Sequence, residues 1–72
     1  MTHATAPSRF TAALLPKTAA ELAALQERSS LSKTDLINRA IALYEFIDGQ
    51  ISAGHEVLIR REDGTVQLVK LL

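Results

Sequence analysis

Between Leu31 and Ile47 the chain reads LSKTDLINRAIALYEFI, with apolar residues at Leu36, Ile37, Ala40, Ile41, Leu43, Tyr44 and Ile47. That spacing is helical, and the apolar arc is wider than a surface helix of a small monomer needs. Ser32 stands ahead of the arc as an N-cap. Asp35, three residues on, can reach back to the cap or face the positive helix end. Leu31 is placed to act as a hydrophobic staple. Asp48, Gly49 and Gln50 interrupt the pattern, but Ile51 resumes it and Gly54 is a better stop. The spacing predicts a helix over 33–53, with Gly49 tolerated inside it at a cost of about 1 kcal/mol relative to Ala. With so little chain left to cover it, this helix is expected at the centre of a dimer core.

Upstream, Ala19, Leu22 and Leu25 form one stripe of an earlier helix that ends near Arg28. Thr18 with Glu21 fits a capping box, and Pro16 suits a place at or just before the first turn. Ser29 and Ser30 make the turn between the helices. Before them RFTAAL alternates: Phe10, Ala12 and Leu14 on one side, Arg9, Thr11 and Ala13 on the other. A strand here has no neighbour in the sequence, so its backbone groups need the same strand of a second copy. The alternative is a lead-in to the helix, because alanine is a poor strand former. Residues 1–8 carry nothing to bury and are expected to form a disordered arm.

After Gly54 the period changes. VLIRR and TVQLVKLL flank Asp63-Gly64, a strong hairpin signal. Pairing outward from a two-residue turn sets Glu62 opposite Thr65, Arg61 opposite Val66, Ile59 opposite Leu68 and Val57 opposite Lys70. One face then carries Val57, Ile59, Val66, Leu68 and Leu72. An isolated hairpin is barely stable, so this face is expected to pack on the helices.

Seventy-two residues make one domain, marginal as a monomer. There is no cysteine, hence no disulfide and no thiolate metal site. His3 and His55 lie far apart and read as surface residues, so no metal and no cofactor is expected. Eight basic residues balance eight acidic ones, which counts against indiscriminate nucleic-acid binding but leaves room for a local basic stripe. No apolar run approaches the roughly 18 residues of a membrane span. The N-terminus has no signal-peptide core, so a cytoplasmic protein is expected. No nucleophile–base pair, phosphate loop or carboxylate constellation appears, and an enzyme is not expected.

Strand, helix, short turn and longer helix within about 45 residues resemble the ribbon-helix-helix family of DNA-binding regulators. The resemblance covers residues 9–47. Its most specific part is SLSKTDLINRAI, which looks like the family's turn and second-helix start; the alternating strand ahead of the first helix is the second match. The fold it implies is mostly α with short β: an intertwined ribbon-helix-helix homodimer (β-α-α) plus a C-terminal β-hairpin. Residues 1–8 would be the arm, 9–54 the ribbon-helix-helix domain and 55–72 the extension.

The resemblance implies a sequence-specific transcriptional repressor whose two-stranded ribbon enters the major groove of double-stranded DNA. By position Arg9, Thr11 and Ala13 would face bases, although Ala13 offers van der Waals contact alone. Ser32, Lys33 and Thr34 at the second helix's N-terminus would hold a backbone phosphate. Phe10, Ala12, Leu14, Leu36, Ile37, Ala40, Ile41 and Tyr44 would form the dimer core, and two dimers on adjacent half-sites are in keeping with the family. The alternative is a protein-interaction module, such as an antitoxin whose hairpin binds a protein partner. For the hairpin three readings stand: a structural cap, Arg60 and Arg61 on flanking phosphate, or a partner surface.

Overall fold

The computed structural model describes residues 8–70. Two helices, α1 (Pro16–Ser29) and α2 (Lys33–Ser52), are followed by two short strands, β1 (Val57–Arg60) and β2 (Val66–Val69). The strands form one antiparallel two-stranded sheet. The order is therefore α-α-β-β, not the expected β-α-α followed by a hairpin.

The expected strand over 9–14 is corrected: Ser8 to Leu15 carries no regular secondary structure. The physical reason is the one that made a lone strand suspect. A strand exists through ladder hydrogen bonds, and no strand of this sheet pairs with residues 9–14. The expected arm lies outside the described residues except for Ser8, as does Leu72.

Helix α1 starts three residues earlier than a Thr18 cap would place it. Leu15 is the N-cap, no side chain caps the end, and proline occupies the first turn. Its fixed φ is already helical and its missing N–H needs no acceptor there, so Thr18 lies inside the first turn. Ser30 closes α1 in the left-handed conformation at φ 59°, donating its N–H to the Gln26 carbonyl at 2.9 Å.

Helix α2 follows the sequence closely. The Ser32 hydroxyl accepts from the Asp35 N–H at 3.1 Å, and Asp35 sits in the first turn. The helix passes through Gly49 and ends at Ser52, with Gly54 beyond it at φ 89°.

The hairpin register differs by one residue from the expected one. Val57 pairs with Val69, Leu58 with Leu68, Ile59 with Gln67 and Arg60 with Val66. The loop holds three residues rather than two. The Gly64 N–H donates to the Arg61 carbonyl at 2.9 Å, the Arg61 N–H to the Thr65 carbonyl at 2.8 Å, and Gly64 takes φ 89°. This is a type I turn closed by a glycine bulge. Asp63 completes it, its carboxylate accepting from the Thr65 N–H at 2.9 Å and the Thr65 hydroxyl at 2.7 Å. The shift regroups the faces. Val57, Ile59, Gln67 and Val69 share one; Leu58, Arg60, Val66 and Leu68 share the other.

Packing is sparse. Leu36 is the one buried residue among the described residues. The helices meet around it, and β1 rests on α2, where Ile47, Gln50, Val57 and Val69 are half-buried. The chain exposes 6861 Å², against about 4,400 Å² for a compact monomer of this length. Its radius of gyration is 15.6 Å, against about 11 Å for a compact chain of this length.

Candidate functional site

Beside Leu36 an apolar groove of about 690 Å³ opens between the helices. Leu22 and Leu25 of α1 form one wall, and Leu36, Ile37, Ala40 and Ile41 of α2 the other. Phe10, Ala12 and Leu14 close a third side. Three alternate residues of an irregular segment thus share one surface, the spacing that extended backbone gives. Arg9, Thr11 and Ala13 do not line the groove; all three are exposed.

Of the eight residues expected in a dimer core, the groove gathers seven: Phe10, Ala12, Leu14, Leu36, Ile37, Ala40 and Ile41. Tyr44 stays outside it and is exposed. Leu22 and Leu25 belong to the same surface, and their α1 stripe was the signal for them. The rim is polar, with Thr18, Glu21 and Arg28. Phe10 is 65% exposed and Ile41 59%, so in one chain this apolar surface is open to water.

The second part of the site is the N-terminus of α2. Ser32 spends its hydroxyl on the Asp35 N–H, so its plain capping role is fulfilled. The N–H groups of Lys33 and Thr34 lie in the first turn, where no carbonyl precedes them to accept. Both side chains are exposed, and the helix dipole adds positive potential there. This end can hold an anion and Lys33 can add a charge to it. Farther on, Asn38 donates its side-chain amide to the Thr34 carbonyl at 2.8 Å.

The hairpin tip carries a shallow concavity of about 380 Å³ lined by Arg60, Arg61, Glu62 and Gly64. The Arg61 guanidinium donates to Gln67 Oε1 at 3.0 Å, tying it across the sheet. His55 is exposed, with Nδ1 2.9 Å from Gln50 Oε1; His3 lies outside the described residues. Among the described residues no three His, Asp or Glu side chains cluster as metal ligands. No helix among them is long and apolar enough to cross a membrane. Comparison with family models, curated proteins and solved structures found no match.

Proposed function

We propose that the chain is a cytoplasmic, sequence-specific DNA-binding transcriptional regulator of the ribbon-helix-helix kind, acting as a homodimer to repress. The observation that carries this reading is the division within residues 9–14. Phe10, Ala12 and Leu14 line the apolar groove, while Arg9, Thr11 and Ala13 stay out of it. A second copy seated on that groove would bring two such segments side by side and supply each with the ladder partner it lacks alone. The outward residues would then meet base edges in a groove wide enough for a two-stranded ribbon. Arg9 would pair with guanine, Thr11 would donate, accept or touch a thymine methyl, and Ala13 would add only close contact. The α2 N-terminus, with Ser32, Lys33 and Thr34, would grip a backbone phosphate and set register.

Selection from random duplex DNA tests this. A short inverted or tandem repeat is expected to enrich, with half-site spacing that reports the number of dimers. Arg9→Ala with Thr11→Ala is expected to remove sequence preference from an intact dimer, each base contact contributing about 1–3 kcal/mol. Lys33→Glu should weaken binding to every sequence and flatten its salt dependence. No enrichment from a folded dimer would overturn the reading. Removal of residues 55–72 addresses the protein-partner alternative, which predicts that DNA binding survives and a bound protein is lost.

A further inference from the structure

The hairpin leaves one edge of β1 without a partner. The Arg61 N–H to Thr65 carbonyl bond fixes the phase of the ladder. With the pairs Val57·Val69 and Ile59·Gln67, residues 57, 59 and 61 turn their N–H and C=O groups toward β2. Leu58 and Arg60 therefore turn theirs outward, and Glu56, one residue ahead of the strand, would follow the same phase on extending it. The sheet ends at β1, and among the described residues no backbone bond outside the hairpin engages those three. Leu58 and Ile59 are each 53% exposed. Within β1 there is no proline and no bulge, the usual guards of an open edge.

The geometry points to a second copy of this chain as the occupant of that edge: β1 pairs antiparallel with β1 of another copy about a twofold axis at Leu58. Antiparallel pairing of identical strands sets one residue opposite itself, and the centre of β1 offers two choices. With Leu58 on the axis, the outward hydrogen-bonding groups of Glu56, Leu58 and Arg60 all meet outward groups. Leu58 then faces Leu58, and Glu56 faces Arg60 of the other copy at both ends of the contact. With Ile59 on the axis, Glu56 faces Glu62 and Arg60 faces Leu58. Opposite charges stabilise a cross-strand pair and like charges oppose it, so the sequence selects the first register. The outer edge of β2 offers no such match, since an axis at Leu68 sets Val66 against Lys70.

The result is a four-stranded sheet in the order β2-β1-β1-β2. Leu68 and Leu58 of each copy run as one stripe across a single face, and Val57 lies beside Ile59 of the other copy on the opposite face. Two strands alone are marginal in water, and four are not. In sequence this surface follows α2, whereas the groove is lined by residues of the N-terminal half of α2. The inference stands apart from the DNA reading, and a chain using both surfaces would join pairs into larger assemblies.

Sedimentation of the full chain over a concentration range, at low salt, tests it. Glu56→Arg sets Arg against Arg, and Arg60→Glu sets Glu against Glu; each is expected to weaken the hairpin association about tenfold. An equimolar mixture of the two variants restores opposite charges at both ends and is expected to regain the parent's association. Leu58→Pro removes the outward N–H while sparing the bonds to β2, and is expected to abolish the contact. The proposal is overturned if the single variants associate as the parent does, or if the mixture associates no better than either alone. The charge mixture decides even where the proline variant fails to fold.

Discussion

The helix pair and the hairpin solve opposite halves of the folding problem. The hairpin settles its geometry within fourteen residues, 57–70: its loop, its bulge and the Asp63–Thr65 bonds are all local. The helices likewise bond most of their own backbones, with Ser32 capping the start of α2 and Ser30 closing the end of α1. Their side chains are another matter. Leu36 alone is buried, while Phe10, Leu14, Leu25 and Ile41 stand exposed around one groove. A chain can thus meet most of its hydrogen bonds locally and still leave its apolar surface uncovered. The first need is met largely by local bonds; the second is left open by this chain alone.

The largest test of this contrast is Ile41→Asp. In a groove open to water such a change stays within about 0.5 kcal/mol. Under a second copy it buries an unpaired charge at several kcal/mol. We expect loss of association and of cooperative melting, read by sedimentation and far-ultraviolet circular dichroism.

A pair of glycine substitutions separates the two regions at smaller cost. Gly64→Ala forces a side chain into φ 89° and should lower stability by about 1–2 kcal/mol. Gly49→Ala lies within α2, where the new Cβ would meet only Glu45 Oε2 at 3.9 Å; it should raise stability by up to about 1 kcal/mol. Thermal unfolding of both variants checks the opposite signs.

The smallest effect is in acid. Backbone and then side-chain hydrogen bonds from Thr65 hold the Asp63 carboxyl below its ordinary value of 3.8. The unfolded chain therefore takes up this proton first as the pH falls. The bonds' contribution is complete above the ordinary value and drains away as the pH falls through the lowered one. Asp63→Asn should remove that part of the acid dependence, measured as the melting temperature across the range from about pH 6 to 2.

What could be read in advance followed from how local each signal is. Ser32 and Asp35 fixed the start of α2 because a cap needs only a hydroxyl and a neighbouring N–H. Asp63-Gly64 marked the turn, yet not its length: two- and three-residue loops both accept that dipeptide, and the choice moved every cross-strand pair by one. Thr18 misled because a capping box resembles any Thr-x-x-Glu, whereas Pro16 already fits a first turn. The strand over 9–14 did not form because alternation alone supplies no ladder partner, and no strand of the sheet pairs with that segment. For the candidate site, the alternation that separates Phe10, Ala12 and Leu14 from Arg9, Thr11 and Ala13 was legible. Its relation to Leu22 and Leu25 was not, because the angle between two helices is set by packing around Leu36.

The corner between the helices has one more consequence. Ser29 Oγ donates to the Leu25 carbonyl at 2.6 Å and accepts from the Leu31 N–H at 3.2 Å. Gln26 Nε2 reaches the Leu31 carbonyl at 3.4 Å, and Ser30 keeps its left-handed turn. Three consecutive residues, Ser29 to Leu31, are therefore stitched back onto the end of α1. The corner is built as a bracket, with bonds that favour one spacing of the groove walls. Recognition on such a surface loses little disorder at the moment of contact, so loosening this bracket would lower affinity through residues that touch no ligand at all.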